Sequence, residues 1–279
     1  MPATASAAPD AAEGTAPPGR PRPKRGRDES DALGLVWTLV RTDFKVRYHG
    51  TVGGFVWALL KPLTMFAVLM AVFSLIFQTD PNYRLNLIIG LCLWDFFSDG
   101  TKVGLSSLAA KSFLLTKTRF PKWILVVTSV SNPLITLSVL MVAIVTTSAA
   151  GGRLAGPWAA ALVVVYMLQL CLIVIGFSLA TSSLLLRYRD LNQVWELLLQ
   201  AGFFVAPVVY PLSILPERLH FYLYLWPPTA VIQFARSVLV LGTVPSLRAH
   251  AMLAAASLLA LGTGALVFKR LSPRCVEYL

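Results

Sequence analysis

The most constraining feature of this 279-residue sequence is a series of long runs that contain no charged side chain. Such runs cover residues 62–79, 123–152, 154–186, 197–216 and 251–268. About 20 mostly apolar residues in a helix are enough to cross the roughly 30 Å of hydrocarbon in a bilayer. Each run is therefore long enough for a membrane span, and residues 55–60 extend the first one across Lys61.

The composition agrees with a membrane protein. Hydrophobic residues make up 56% of the chain and charged residues only 13%, whereas soluble domains carry about 25% charged residues. This balance excludes a cytosolic enzyme, a disordered scaffold and a nucleic-acid-binding module, although the net charge is +11. The cysteines at 92, 171 and 275 have the spacing of neither a disulfide framework nor a metal site.

A sixth candidate span at 85–109 contains Asp95, Asp99 and Lys102, and it completes a topology with both termini on one side. Lys and Arg near the ends of spans mark the cytoplasmic side of a membrane. With six spans, all of the 24 Lys and Arg residues fall on the side of the termini except five, which are Arg84, Arg153, Arg218, Arg236 and Arg248. We therefore expect both termini in the cytoplasm.

Two other apolar stretches, at 221–234 and 237–247, are too short to cross a bilayer. Runs of this length are typical of re-entrant or interfacial segments, whose backbone must be surrounded by protein or water. The predicted fold class is an all-α integral membrane protein. It has six transmembrane helices preceded by an amphipathic interface helix, with two short re-entrant segments between spans five and six.

The chain ahead of the first span divides into two regions. Residues 1–30 are rich in Ala, Pro and Gly and poor in large apolar residues, which predicts a disordered cytoplasmic tail. Residues 31–50 have helical periodicity, with one face made of Leu33, Trp37, Val40 and Phe44. Another face contains Thr38, Arg41, Lys45 and Tyr48. This pattern indicates a helix lying in the headgroup layer or an extension of the first span. Residues 51–279 form the predicted transmembrane domain.

Four stretches, in this order, resemble the permease subunits of ABC transporters that export polysaccharides. The first is RTDFKVRYHG at 41–50, followed by GGFVW at 53–57 and KPL at 61–63. The second is KTRFPKWIL at 117–125, and the third is LRYRDLNQ at 186–193. The fourth is PVVYPL at 207–212, with LPE at 215–217 and WPP at 226–228. The resemblance extends from about residue 35 to residue 240.

This resemblance implies a homodimer of six-helix subunits in the bacterial cytoplasmic (inner) membrane. The family pairs such a dimer with two cytosolic ATPase subunits and moves a polyprenyl-diphosphate-linked glycan outward, for example O-antigen, capsule or teichoic acid. The sequence contains no phosphate-binding loop of the form Gly-x-x-x-x-Gly-Lys-Ser/Thr. We therefore expect no enzymatic activity and no cofactor on this chain, with ATP and Mg²⁺ bound by the partner ATPase.

The loop between spans two and three is the expected contact with that ATPase. In the family a short coupling helix of this loop sits in a groove of the motor. Phe120 is expected to anchor the contact by burial, beside Pro121, while Lys117 and Arg119 steer it towards acidic residues. Ordinary positive-inside charge accounts equally well for the lysine.

Two groups of residues are candidates for substrate contact. Guanidinium and ammonium groups bind phosphate oxygens, so contact with a lipid diphosphate or headgroup is predicted for Arg41, Lys45, Arg47 and Tyr48. Bulk anionic lipid suits the same side chains. Sugar rings stack on aromatic rings, so a glycan channel is predicted to include Trp57, Trp94, Asp95, Phe97, Asp99, Phe203, Phe204 and Tyr210. Aromatic residues also fill helix cores and membrane interfaces.

Asp95 and Asp99 lie one helical turn apart on one face of span two. An ionised carboxylate at this depth costs at least ~2.5 kcal/mol if it faces lipid, so both are expected to face a partner or water. Lys102 is the predicted partner of Asp99, and Asp95 has none nearby in the sequence. Gly100 and Gly104 form a small-residue pattern that permits close helix contact, either within the subunit or between subunits.

Two alternative functions remain at this stage. The pair Asp95 and Asp99 suits Mg²⁺ against a prenyl diphosphate, which is the chemistry of a membrane prenyl-diphosphate enzyme, although the sequence offers no second acidic cluster. An ABC exporter of small lipophilic compounds has the same architecture as the polysaccharide exporter.

Overall fold

The computed structural model describes residues 27–50, 53–76, 80–113, 121–152, 156–224 and 226–272. Within these residues the regular structure is helical throughout, without a strand. The helices are α1 (Arg27–Tyr48), α2 (Val56–Phe73), α3 (Tyr83–Ala110), α4 (Trp123–Ala150), α5 (Pro157–Leu185), α6 (Leu191–Val205), α7 (Glu217–Tyr224), α8 (Pro227–Leu239) and α9 (Leu247–Leu271), with a 3₁₀ turn at Leu212–Ile214.

The chain forms two compact units, Met1–Leu35 and Val36–Leu279. In the first, the described residues are the initial turns of α1, which begins four residues ahead of the predicted interface helix. In the second, Phe44 and Tyr48 pack together with 4.8 Å between ring centroids. The prediction that Tyr48 lies on a different face from Phe44 is therefore wrong, because residues four apart are neighbours on a helix.

The core of the larger unit forms around α3, although this helix contains the most charged of the predicted spans. Its length of 28 residues corresponds to about 42 Å, and it packs against α4 and α5 along its course and against α8 near its start. Leu87, Leu93 and Leu105 on α3 are fully buried. Of the charged residues of α3, Asp95, Asp99 and Lys102 are partly buried between helices, whereas Arg84 in its first turn is exposed.

Two helices are held much more loosely. On α2 only Pro62 is buried, and its exposed apolar residues include Leu63, Val68 and Val72. On α6 only Leu199 and Gly202 are buried. Both helices therefore present apolar surface that this single subunit does not cover.

In the part of the chain that the structure describes, four helices are long and apolar enough to cross a membrane, namely α2, α4, α5 and α9. They correspond to predicted spans one, three, four and six. Span six is longer than predicted at both ends, and α2 lies about six residues earlier than its run because Lys61 is part of the helix. The candidate spans two and five correspond to α3 and α6. α3 contains too many charged residues to qualify as a spanning helix by composition alone, and α6 is too short, at 15 residues.

The predicted re-entrant stretches have different boundaries in the structure. The stretch 221–234 is divided between the end of α7 and the start of α8, which begins at Pro227. Because proline is accommodated in the first turn of a helix, it starts α8 here. The stretch 237–247 comprises the end of α8, an irregular segment and the first residue of α9. It is not a separate helical element.

Glycines allow the central helices to approach closely. A β-carbon on Gly100 would stand 2.9 Å from Val174 Cγ1, and one on Gly104 would overlap Ser178. The predicted small-residue pattern is therefore confirmed, and its contact is internal, between α3 and α5. A second such contact was not predicted from the sequence: Gly176 of α5 faces Gly264 of α9 backbone to backbone.

Candidate functional site: a charged cluster between two cavities

Lys61 is the partner that the sequence analysis did not find for Asp95 and Asp99. Its Nζ lies 2.8 Å from Asp95 Oδ1 and donates to Asp99 Oδ1 at 2.8 Å and Oδ2 at 2.9 Å. Lys61 is five residues into α2, and the two carboxylates are one turn apart in the middle of α3. We call these three side chains the charged cluster. One ammonium faces two carboxylates, so the charged cluster has a formal charge of −1.

The predicted pairing of Lys102 with Asp99 is wrong. Lys102 Nζ instead lies 3.3 Å from Glu196 Oε1 on α6. Lys102 follows Asp99 by three residues, but Lys61 on the adjacent helix occupies the Asp99 carboxylate. Sequence proximity favoured the local partner, whereas helix packing supplied a distant one.

The charged cluster forms part of the wall of a first cavity of about 290 Å³. Arg47 and Tyr48, at the end of α1, line this cavity together with Trp57 and Ala58 of α2. Arg47 also stacks over the Tyr48 ring, with its Cζ 5.9 Å from the ring centroid. The structure thus brings two predicted headgroup residues and three predicted channel residues to one cavity. Thr136 and Leu140 of α4 complete its inner side.

A second, larger cavity of about 620 Å³ lies on the other side of the same three side chains. Its wall combines one side of α2, from Trp57 to Val68, with Trp94 of α3 and Phe203 of α6. Trp57, Lys61, Asp95 and Asp99 line both cavities. The charged cluster therefore separates the space beside α1 from the space beside α6.

The predicted channel residues on α3 are mostly packed. Trp94 is buried and contacts Phe97 and Phe203, at 5.7 and 5.8 Å between ring centroids. Phe97 lies in the hydrophobic core and also contacts Trp195 and Trp226. Of this aromatic cluster, Trp94 and Phe203 border the second cavity.

The remaining predicted channel residues lie at different places. Trp57 and Phe204 are strongly exposed. The Tyr210 hydroxyl donates to Phe204 O at 3.0 Å, beyond the end of α6, and Tyr210 lines a separate cavity at the start of α3. Tyr210 is therefore distant in the fold from the charged cluster, although the sequence analysis grouped the two.

Arg41 and Lys45 project from the exposed side of α1. Between them in sequence, Asp43 is half-buried and forms a short ion pair with Lys111, just beyond the end of α3. This contact attaches α1 to the same end of the bundle as Lys122, which donates to Ser272 O at 2.7 Å. Arg41, Lys45, Lys111 and Lys122 therefore lie at one end of the helical bundle.

Of the predicted coupling residues, Lys117, Arg119 and Phe120 lie outside the described residues. Pro121 is described and is exposed immediately before α4. Pro121 also lies next to Lys122, at the end of the bundle where α9 terminates.

Arg236 is a functional candidate that sequence reasoning placed only as an isolated charge. It is buried on α8 and donates three hydrogen bonds to backbone oxygens, from Nε to Asn86 O at 2.9 Å and from Nη1 and Nη2 to Pro207 O and Val208 O, both at 2.6 Å. The helix-breaking Pro207 could have signalled unpaired carbonyl groups in need of a donor. Nothing in the sequence indicated which donor reaches them.

The helices of spanning length and apolar composition, arranged around a charged and cavity-lined interior, define a multi-pass membrane protein. The family model described as ABC-2 type transporter matches residues 34–240, which is more than half of the chain. The chain therefore belongs to the ABC-2 type transporter family, and the predicted kinship with ABC transporter permeases is confirmed. Membership makes the chain a transporter subunit and implies an ATPase partner.

Relatives of known name agree with this assignment. The chain is 32% identical over 194 residues to the O-antigen export system permease protein RfbA of Myxococcus xanthus, a match that covers 66% of this chain and 71% of that protein. It is 27% identical over 212 residues to the O-antigen export system permease protein RfbA of Klebsiella pneumoniae, with 75% of this chain and 82% of that protein covered.

Proposed function

We propose that the chain is the permease subunit of an ABC transporter that exports a lipid-linked polysaccharide across the cytoplasmic membrane. The names of the relatives, which are O-antigen export permeases, support this substrate class. The observation that carries the proposal is the arrangement of two adjoining cavities on either side of the charged cluster. Their walls combine the charged cluster with aromatic rings such as Trp57 and Trp94, which suit the hydroxyl groups and the C–H faces of a glycan.

The proposed topology has six spans, with α3 and α6 as the second and fifth. Burial of α3 among α4, α5 and α8 supports its position in the membrane. Its charges at Asp95, Asp99 and Lys102 form ion pairs with Lys61 or Glu196, which lowers the cost of placing them there. α6 is short, at 15 residues, and the rest of the predicted fifth span is irregular chain with one 3₁₀ turn. The cations Lys111, Lys122 and Lys269 gather at the end of the bundle where α3 and α9 terminate. By the positive-inside rule that end faces the cytoplasm, with both termini.

We further propose that two copies of the chain form the transport unit. The uncovered apolar surfaces of α2 and α6 support this arrangement, since α2 is the least buried of the spanning helices. Both helices border the second cavity through Met65, Val68 and Phe203. A second subunit placed against them converts an open groove into an enclosed path.

Within this path we assign different roles to the two ends. Arg41, Lys45 and Arg47, with Tyr48, are proposed to meet the lipid diphosphate at the inner headgroup layer, where cations and anionic phosphate attract one another. The glycan is proposed to follow the two cavities, where Trp57 and Trp94 offer ring faces. Asp95 and Asp99 are proposed to accept hydrogen bonds from sugar hydroxyls.

The partner ATPase is proposed to act on the segment between α3 and α4, through Lys117, Arg119, Phe120 and Pro121. The exposure of Pro121 and the gathering of cations at this end support that position. A change in the position of this segment reaches the charged cluster directly, because α3 contains Asp95 and Asp99.

The enzyme alternative is weakened by the charged cluster. The Lys61 ammonium lies within hydrogen-bond distance of both carboxylates, which is the position that Mg²⁺ needs between Asp95 and Asp99. Within the described chain, no group of three or more His, Cys, Asp or Glu side chains is placed to hold a metal ion.

The experiment that tests the proposal is complementation of a strain that lacks the chromosomal copy, with the ATPase partner expressed. We expect surface polymer to disappear on deletion and to return with the wild-type gene. Asp95→Asn is expected to lower surface polymer at equal membrane levels, whereas Asp190→Asn, an exposed matched control ahead of α6, is expected to complement fully. Unchanged surface polymer in the deletion strain refutes the polysaccharide assignment.

Phe120→Ala tests the coupling assignment separately. We expect normal insertion of this variant and a loss of ATP hydrolysis stimulated by the assembled permease. If Phe120→Ala supports wild-type export and ATP hydrolysis, the segment between α3 and α4 is not the coupling element.

A further inference from the structure

A groove on the surface of the bundle lies between the start of α4, the second half of α5 and the second half of α9. We call it the α4–α9 groove, and its volume is about 590 Å³. None of the described residues that line it borders either of the cavities beside the charged cluster. The α4–α9 groove therefore lies outside the proposed transport path, on three helices of spanning length.

The floor of the α4–α9 groove is apolar and firmly packed. Leu179 of α5 and Phe268 of α9 are buried there, in a hydrophobic cluster to which α3 and α4 also contribute. Ile175 and Leu261 pack against the same cluster. Lipid tails are as apolar as these side chains, so the floor accepts an acyl chain, and any preference for one kind of lipid must come from the polar end of the groove.

The length of the α4–α9 groove matches one leaflet of a bilayer. Along α9 it runs from Leu261 to Ser272 through Ala265, Phe268 and Lys269, and residues three or four apart form one stripe of a helix. The helix rises by about 16 Å over this stripe. Half of the hydrocarbon thickness is about 15 Å, so an acyl chain of a single leaflet fits along it.

The two ends of the α4–α9 groove differ in polarity. Lys122 and Lys269 line the end at which α9 terminates, beside the exposed indole ring of Trp123. Lys122 Nζ donates to Ser272 O at 2.7 Å, but an ammonium has three donors, so this bond does not exhaust it. Tryptophan is enriched at the membrane interface. Among the described residues that line the groove none is acidic, so its polar end presents two positive charges.

We infer that the α4–α9 groove binds one anionic phospholipid of the cytoplasmic leaflet. Its phosphate lies at Lys122 and Lys269, and one acyl chain follows α9 towards Leu261. Basic pockets between spanning helices on the cytoplasmic side attract anionic headgroups, and the cationic end of this groove is at the end of the bundle that we propose to face the cytoplasm. The inference rests on the proposed orientation for its leaflet, and it adds a lipid site that glycan transport does not require.

The experiment measures lipid binding by native mass spectrometry. The purified full-length protein is delipidated in detergent and titrated separately with dioleoyl phosphatidylglycerol and dioleoyl phosphatidylcholine, which share their acyl chains and differ in headgroup charge. We expect one tightly bound phosphatidylglycerol per chain and about fivefold weaker binding of phosphatidylcholine or less. Equal affinities for the two lipids overturn the inference.

A pair of charge variants separates a site from general attraction. Lys269→Gln is expected to weaken phosphatidylglycerol binding about fivefold. Arg270→Gln removes the same charge from the next residue, which is exposed and does not line the α4–α9 groove, and it is expected to bind like the wild type. Equal affinities of Lys269→Gln and Arg270→Gln for phosphatidylglycerol overturn the inference.

A pair of size variants tests the path of the acyl chain. Ala265→Trp fills the α4–α9 groove and is expected to lose phosphatidylglycerol binding. Ala256→Trp, on the same helix but outside the groove, is the control. Both alanines are exposed, so the unfolding midpoints without lipid are expected to equal that of the wild type. Wild-type affinity of Ala265→Trp for phosphatidylglycerol overturns the inference.

Two other occupants give different results in the same spectra. Tighter binding of undecaprenyl phosphate than of phosphatidylglycerol assigns the α4–α9 groove to a polyprenyl lipid, and dissociation of dimers by Ala265→Trp assigns it to a subunit interface. Either result overturns the inference. The proposed function fails separately, through unchanged surface polymer in the deletion strain, because the lipid titrations involve no export.

Discussion

Lys61 Nζ donates to both carboxylate oxygens of Asp99, at 2.8 and 2.9 Å, and so ties the loosely packed helix α2 to the central helix α3. The same nitrogen lies 2.8 Å from Asp95. Apart from Pro62, which is buried, α2 contacts the core through partly buried apolar side chains such as Phe66 and Met70, and the ion pair adds a polar attachment to this contact. The charged cluster is therefore both a structural attachment and the wall between two cavities.

Removing only the ammonium from the charged cluster is expected to destabilise the protein more than removing all three charges. Lys61→Met leaves two adjacent carboxylates without their partner, a penalty of about 1–3 kcal/mol. The triple variant Lys61→Met with Asp95→Asn and Asp99→Asn has no unpaired charge. Thermal unfolding of purified protein is expected to show a lower midpoint for the single variant and recovery in the triple one.

Export by the triple variant separates the two roles of the charged cluster. A stable protein that fails to export polymer indicates that the carboxylates contact the substrate. Equal unfolding midpoints for Lys61→Met and the wild type contradict the attachment of α2 by this ion pair.

The contact between α5 and α9 gives a prediction with a control on the same helix. A β-carbon on Gly264 would overlap the backbone of Gly176, whereas one on Gly262 meets nothing within 4 Å. Gly264→Ala is expected to destabilise the protein by about 1–3 kcal/mol through overpacking. Gly262→Ala is expected to be neutral or stabilising by up to about 1 kcal/mol, since alanine favours helix.

Unfolding midpoints of the two glycine variants in the same detergent measure this difference. Equal unfolding midpoints for Gly264→Ala and Gly262→Ala contradict the close approach of α5 and α9.

The hydrogen bond between Trp195 of α6 and Thr101 of α3 gives a third prediction. Trp195 Nε1 donates to Thr101 Oγ1 at 3.0 Å, which fixes α6 against α3. Thr101→Val keeps the shape but removes the acceptor, at a cost of about 1 kcal/mol. Thr128→Val is the control, because that fully buried hydroxyl donates within its own helix, to Leu125 O.

Tryptophan fluorescence offers a measurement that responds to this contact. Thr101→Val is expected to change the emission of Trp195 and to lower the unfolding midpoint more than Thr128→Val does. Identical unfolding midpoints for the two threonine variants show that this hydrogen bond does not stabilise the packing of α6 against α3.

The sequence predicted most of the fold because the membrane leaves few choices. Long uncharged runs gave α2, α4, α5 and α9, and periodicity gave the helix that ends at Tyr48. The spacing of Gly100 and Gly104 predicted a close contact, since small residues at that interval have no other common use in a span. These features are local in the chain, and hydrophobicity or helix geometry alone decides them.

Pairings between distant elements could not be predicted in the same way. Lys61 and Asp99 are 38 residues apart, and the sequence offered the nearer Lys102 as an equally good partner. Gly176 and Gly264 each look like ordinary helix glycines until α5 and α9 are packed together. The aromatic residues were grouped by composition, and only the fold separates the buried Phe97 from the cavity at Tyr210.

Arg236 gives the last prediction, because its position depends on the absence of a side chain at Gly90. A β-carbon on Gly90 would stand 2.5 Å from Arg236 Nη2 and 3.2 Å from Val208 O. Gly90→Ala is therefore expected to displace the guanidinium and release the carbonyl groups at Pro207 and Val208. Arg236→Lys is expected to act similarly, since an ammonium lacks the planar fork that reaches separate acceptors.

Both variants are expected to lower the unfolding midpoint. The free energy of unfolding is expected to fall by at least about 2 kcal/mol, because hydrogen bonds from a charged donor to buried carbonyl groups are lost. Protection of the Pro207–Tyr210 segment against hydrogen exchange is expected to fall at the same time. Arg248→Lys, on the exposed first turn of α9, is the matched control for the change from guanidinium to ammonium. Similar midpoints for Arg236→Lys and Arg248→Lys contradict a holding role for Arg236, whose guanidinium donates to the backbone oxygens of Asn86, Pro207 and Val208.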